Sequence, residues 1–244
     1  MANRQRAEAR RKAAAKANRQ TGEGSKTWLW LTLGIVAVIA IVIVAITLGG
    51  DDDDAGTSSD TVTTDSEASS IPDSQPVTIT GDPLPAFEQP DGDPAVGMDA
   101  PLLSGLDFQS DPVVIDPAAE GPYMLVFMAH WCPHCNAEIP VLIDWKNSGG
   151  VPAELNVIGV ATAPSPASAN YPPHEWFANK GWRWPILVDE SQGDGTAGRV
   201  AQAYGATGWP YFVIVGADGK VKVRVSGEVE VNDLQQIVDD ALAG

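Results

Sequence analysis

Cysteine is scarce in this chain: two residues in 244, beside only three histidines. That scarcity removes several classes at once. A structural zinc site needs four ligands, and Cys132 and Cys135 could recruit only His130, His134 or His174. A structural disulfide stabilises by closing a long loop, whereas these two sulfurs are separated by Pro133 and His134 alone. Attachment of c-type haem requires a histidine directly after the second cysteine, and Asn136 stands there. No metal site and no cofactor are therefore expected.

Basic residues are scarce over most of the length. Of the 15 Lys and Arg, eight (Arg4, Arg6, Arg10, Arg11, Lys12, Lys16, Arg19 and Lys26) precede the first long apolar run, while all but two of the 32 acids follow it. So acidic a domain repels polyanions, which excludes nucleic-acid binding through phosphate neutralisation. Its charge suits cationic or unfolded partners.

Charge is absent altogether from 28–48, WLWLTLGIVAVIAIVIVAITL. At the α-helical rise this run spans roughly 31 Å, about the hydrocarbon thickness of a bilayer. In lipid a lone segment satisfies its backbone groups only as a helix. Basic residues before it and Asp51-Asp52-Asp53-Asp54 after it orient the N-terminus to the cytoplasm, with Trp28 and Trp30 at the inner interface. A cleavable signal peptide would have an apolar core of ~7–15 residues and a small-residue cleavage site. This run is longer, no such site follows, and no cysteine near its end could carry a lipid. The expected plan is a basic cytoplasmic tail (1–27), a single-pass signal-anchor helix (28–48) and an extracytoplasmic remainder in the cell membrane's outer space.

Residues 49–95 are Asp, Ser, Thr, Gly and Pro with few large apolar side chains, too few to offset chain entropy. They read as an acidic flexible linker, with one short strand near 77–79 along the domain edge. No internal repeat is present.

Residues 96–244 alternate strand and helix signals. Continuous apolar runs at 125–128, 157–160 and 186–188 predict strands buried on both faces. Helices are predicted over 132–146, with Pro140 as a kink, over 173–180, and over 198–204. A hairpin follows, 211–215 and 221–225 around Ala217-Asp218-Gly219; its second strand alternates apolar with basic, which predicts one wet face. Asn232 with Gln235 gives a capping-box signal for a last helix, 233–242. The fold class is α/β: a central mixed sheet with helices on both faces.

The two cysteines lie where the first buried strand meets its helix, as Cys132-Pro133-His134-Cys135. A cysteine at a helix start faces free backbone N–H groups and the positive end of the dipole, which favour thiolate over thiol. The spacing holds the second sulfur close enough to close a small ring. Pro133 supplies the φ of a first helical turn, and His134 can add positive charge beside the thiolate.

These residues resemble a known family. Val96-Gly97-Met98-Asp99-Ala100-Pro101 at the domain's start, Phe127-Met128-Ala129-His130-Trp131-Cys132-Pro133-His134-Cys135, Glu138-Ile139-Pro140, and Tyr204-Gly205-Ala206-Thr207-Gly208-Trp209-Pro210 together are similar to the thioredoxin superfamily, specifically its membrane-tethered TlpA/ResA-like redoxins. The resemblance covers 96–244 and implies a thioredoxin-like fold and a thiol–disulfide oxidoreductase with a redox-active Cys132–Cys135 disulfide. It implies that Cys132 is the exposed nucleophile and Cys135 the buried resolving thiol. It implies that Pro210 is cis beside the disulfide, that Trp131 flanks the sulfur, and that Glu138, three residues past Cys135, exchanges a proton with it. Trp209 departs from the superfamily, which usually has Thr or Val there; the ring either narrows the substrate groove or covers the disulfide.

The dipeptide Pro-His is that of DsbA-type oxidants, while the TlpA-like frame suggests a reductant in cytochrome c maturation. The dipeptide acts on the thiolate directly, which favours the oxidant. Expected partners are exported proteins with cysteine thiols or disulfides and a membrane redox protein that recycles the pair. A non-enzymatic copper or zinc carrier would need a remote ligand motif, and a peroxiredoxin-type peroxidase a lone reactive cysteine in its own motif; neither is present. If the charge step orients the chain as argued, protease added to intact cells removes everything beyond about residue 50 and spares the basic tail; protection of the acidic domain would reverse the orientation.

Overall fold

The strand β4 (Tyr123–Met128) is apolar from end to end, and all six of its side chains are buried. Such a strand needs cover on both faces, and the rest of the fold supplies it. The computed structural model describes residues 71–243. The expected basic tail, the expected 28–48 anchor helix and the first part of the expected linker lie outside the described residues. Among the described residues no helix is long and apolar enough to cross a membrane.

In chain order the elements are β1 (Thr78–Thr80), β2 (Leu102–Leu106), β3 (Pro112–Ile115), α1 (Pro117–Glu120), β4, α2 (Pro133–Asn147), β5 (Asn156–Ala161), α3 (Pro173–Asn179), β6 (Ile186–Val188), α4 (Arg199–Ala203), β7 (Tyr211–Val215), β8 (Val221–Ser226) and α5 (Val231–Ala243). The main sheet runs β6-β5-β4-β7-β8. Its β4–β5 and β5–β6 pairs are parallel, and β4–β7 and β7–β8 are antiparallel. This is a thioredoxin-like α/β arrangement. The antiparallel sheet β1-β2-β3 is additional, and its β2–β3 hairpin has no counterpart in the sequence reading.

Side chains of the main sheet alternate between two cores, as the pleat requires. Met124, Val126, Met128, Phe212 and Ile214 join Ile139, Leu142, Trp145, Phe177, Leu234 and Val238 from α2, α3 and α5. Leu125, Phe127, Ile158, Val160, Tyr211 and Val213 meet instead Val77, Leu84, Phe87, Leu103, Ile115 and Val200. Helices α2, α3 and α5 thus cover one face. The other is covered by α4 together with the small sheet and the 77–95 segment. Helices lie on both faces as expected, but on the second they share the cover with strands and with residues of the expected linker.

The second half of the expected linker is accordingly part of the folded unit. Val77, Leu84, Phe87 and Ala95 are buried, and the amides of Leu84 and Phe87 donate to the carbonyls of Ala203 and Gly205. Segment composition concealed this, because a few apolar side chains spaced among Pro and Asp suffice when a sheet face waits for them. The wet face expected for β8 is also corrected: Arg224 is fully buried. Its Nε donates to Asp93 Oδ2 at 2.7 Å, a second nitrogen donates to Oδ1, and a third donates to the Pro85 carbonyl at 2.8 Å. Burial raises the Asp93 carboxyl, but the bonds from Arg224 and the Ala95 N–H outweigh it and hold it below its ordinary value. The capping box is not used either. The last helix begins at Val231, and Gln235 accepts from Trp145 Nε1 at 2.7 Å.

Gly205 sits where this segment crosses. Its φ is +72°, and a Cβ there would lie 2.2 Å from the Pro85 carbonyl oxygen. Breaking the buried pair leaves a charge without its partner. Asp93→Ala is expected to cost ~3–5 kcal/mol of unfolding free energy, read by urea denaturation; a loss under 1 kcal/mol would mean the pair behaves as a surface bridge.

Candidate active site

Cys132 is the N-cap of α2, with extended backbone (φ −72°, ψ 122°) and no capping bond from its side chain. The helix therefore begins at Pro133, one residue later than the sequence suggested, and the first-turn N–H groups lie unclaimed by that sulfur. Cys135 is one turn inside. Both are free thiols. The expected contrast in exposure is small: Cys132 keeps 5 % of its surface and Cys135 none. Trp131, Trp209 and the core beneath account for this.

The Cys132 Sγ lies 3.5 Å from the Trp209 carbonyl oxygen, to which its thiol donates. The Trp209–Pro210 peptide is cis. Trp131 is half-buried, and its Nε1 donates to the Ala163 carbonyl at 2.8 Å. The approach to the cis-proline is pinned by the 84–95 segment. Tyr211 Oη donates to the Tyr204 carbonyl at 2.9 Å, and Thr207 Oγ1 donates to the Phe87 carbonyl at 3.0 Å.

Burial pushes the Cys135 thiol up, with the charges of Cys132 and Glu138 adding to the effect. Glu138 is 1 % exposed. Its Oε2 accepts from the Val229 N–H at 3.0 Å, while Oε1 is buried without a partner. Burial raises its carboxyl to about 7, against the Val229 bond and with help from Glu228 and Glu230. A carboxyl poised near neutral pH can both give and take a proton. His134 is placed differently from the sequence picture. Its Nδ1 lies 2.6 Å from Glu228 Oε1, and both side chains are at least half exposed. A charged ring there is paired with a carboxylate, so its field at the sulfur is partly offset. Pro133 opens the helix as expected for a first-turn proline.

Residues that sequence reasoning passed over also build the site. Pro140 has no N–H, which leaves the carbonyl four residues back unclaimed; Lys180 Nζ donates to that Asn136 carbonyl at 3.1 Å. The Asn136 amide nitrogen donates to the Cys132 carbonyl at 3.0 Å, and its oxygen accepts from Trp176 Nε1 at 2.9 Å. Glu228 and Val229 reach α2 from the far end of the chain. Only the proline inside the predicted helix signalled any of this. Among the described residues no group of three or more His, Cys, Asp and Glu side chains is gathered as a metal site would require.

The family model for AhpC/TSA matches residues 80–224, which include both cysteines, Glu138 and Pro210. No curated protein matches the chain. Among solved structures, it is similar to a thiol:disulfide interchange protein of the thioredoxin family from Chlorobium tepidum, with 21 % identity over 64 % of this chain and 99 % of that one, TM-score 0.47. It is similar to MTB dsbF, with 26 % identity over 57 % and 93 % of the two chains and a TM-score of 0.46. For a secreted Mycobacterium tuberculosis disulfide oxidoreductase homologous to E. coli DsbE the values are 22 %, 56 %, 93 % and 0.43.

Because the folded Glu138 carboxyl is raised above its unfolded value, the native state holds a proton that the unfolded state has lost between about 4.5 and about 7. Stability is full below that window and falls as pH rises through it. Glu138→Gln is expected to flatten the decline, measured as unfolding free energy between pH 4.5 and 8; an equally steep decline in the variant would place the cause elsewhere.

Proposed function

The chain belongs to the AhpC/TSA family, and on that premise we propose that it exchanges disulfides with exported protein partners through Cys132 and Cys135, acting as an oxidant. The observation that carries this reading is the pair's setting: one sulfur at the N-cap of α2 beside the Trp209 carbonyl, the other a turn inside and buried.

In the oxidising direction a partner thiolate attacks Cys132 Sγ. The Cys132–Cys135 bond breaks, and a bond from Cys132 to the partner forms. Cys135 leaves as a thiolate, and its burial and its own basicity favour rapid protonation. Glu138, with one unclaimed oxygen, supplies that proton. A second partner thiolate then attacks the partner's own sulfur, releasing Cys132 and leaving the partner disulfide. Cys132, at the N-cap of α2, is the sulfur that leaves in this step. A membrane redox protein then removes two electrons and restores the disulfide. Trp209 flanks the sulfur and limits which segments approach. The whole module is held at the outer membrane face by the 28–48 anchor.

The alternative direction, reduction of exported thiol proteins such as apocytochromes, has one observation in its favour. The Glu228 carboxylate at His134 offsets the cation on which the oxidant reading leans.

Substitution of each sulfur separates the roles. Cys135→Ser is expected to accumulate reductant-sensitive mixed disulfides, and Cys132→Ser few. Non-reducing gels of membranes from expressing cells, followed by mass spectrometry, identify the species. Exported cysteine proteins among the trapped partners support the oxidant; apocytochromes support the reductant; equal trapping by both variants overturns the assignment.

A further inference from the structure

His130 stands two residues before the nucleophile and has no part in the exchange just described. It is 1 % exposed. Its Nδ1 is 2.7 Å from the Ala169 carbonyl oxygen, and its Nε2 is 3.1 Å from the Ser165 backbone nitrogen. A carbonyl only accepts and an amide N–H only donates, so the ring is neutral and carries its proton on Nδ1. Burial disfavours its charged form, against the pull of the Ala169 carbonyl and the Asp73 charge, in keeping with that tautomer.

Both partners lie in the loop between β5 and α3. Two non-glycine residues of that loop, Ala163 (φ 51°) and Asn170 (φ 62°), hold left-handed backbone. Such positions are costly and persist only where surroundings enforce them. His130 enforces them from the middle: its ring holds 165 and 169, and its carbonyl accepts from Asn170 Nδ2 at 2.9 Å. The loop in turn fixes Trp131, through the bond from its indole to Ala163. Its outer side, from Pro166 and Ala167 to Ala169, Asn170 and Tyr171, is exposed.

We infer that His130 is a positioning residue: it holds the 163–171 loop and, through it, Trp131, as one wall of the surface on which an extended segment of a partner protein lies beside Cys132. The inference rests on the disulfide-exchange reading above. The imidazole reaches no reacting atom; its effect is on docking of a protein segment and not on sulfur chemistry.

The test uses the full chain in detergent, oxidised, with reduced unfolded ribonuclease A as the probe, in single turnover. Two thiols of the probe become a disulfide while the Cys132–Cys135 disulfide becomes two thiols. His130→Ala is expected to raise the half-saturating probe concentration about tenfold, which is ~1.4 kcal/mol, with the limiting rate within about twofold. His130→Gln, whose amide can donate to Ala169 and accept from Ser165, restores wild-type saturation. Hydrogen exchange at the Ser165 amide rises in the Ala variant and not in the Gln variant. Unchanged saturation, an equal loss in the limiting rate, or continued protection of Ser165 in His130→Ala overturns the inference. A wild-type disulfide that exchanges neither with the probe nor with glutathione overturns the disulfide-exchange reading instead.

Discussion

The central sheet is apolar on both sides. Residues of β4 and β7 point alternately into two separate cores, and each core needs its own cover. Helices α2, α3 and α5 close the first. The second is closed by residues that precede β4, from Val77 to Ile115, together with α4. Hydrophobic cover of that face therefore decides the path of a stretch that has little structure of its own.

That path reaches the Cys132–Cys135 site. Leu84 and Phe87 lie on Ala203 and Gly205, Asp93 neutralises Arg224, and Arg224 and Tyr211 hold the Tyr204 carbonyl. These contacts set the stretch that runs through Thr207 to Pro210, in which the Trp209 carbonyl accepts from the Cys132 thiol. A buried ion pair adds little net stability compared with apolar side chains of the same volume. Its value here is geometric, since the guanidinium joins three segments that share no ladder. The active-site turn is held just as firmly on its other flank, where Asn136, Trp176 and Lys180 tie α2 to α3.

Much of this was legible in the sequence. Strands buried on both faces announced themselves as short apolar runs, and β6, β7 and the α2 helix fall within a residue or two of where periodicity put them. The Cys-Pro-His-Cys turn at a strand–helix junction was equally plain. What escaped was everything that depends on distant partners. Leu102 to Leu106, LLSGL, and Pro112 to Ile115 are too short and mixed for a period to show. Arg224 looked solvated because alternation cannot tell a wet face from a buried face that carries a paired charge. Asp93 looked like linker for the same reason. His134 looked like a neighbour of the sulfur, because nothing local reveals a carboxylate 94 residues away.

That last separation bears on how far a short motif can be moved between proteins. Glu228 at His134 and the Val229 amide at Glu138 both come from the turn before the final helix. Four residues grafted into another thioredoxin-like host would arrive without the counter-charge and without the amide that holds Glu138. The graft would take on its new host's chemistry, and a chimaera with the donor's C-terminal segment would be needed to carry the original behaviour across. Portability in this fold belongs to the pair of segments, and the motif by itself is half of a part.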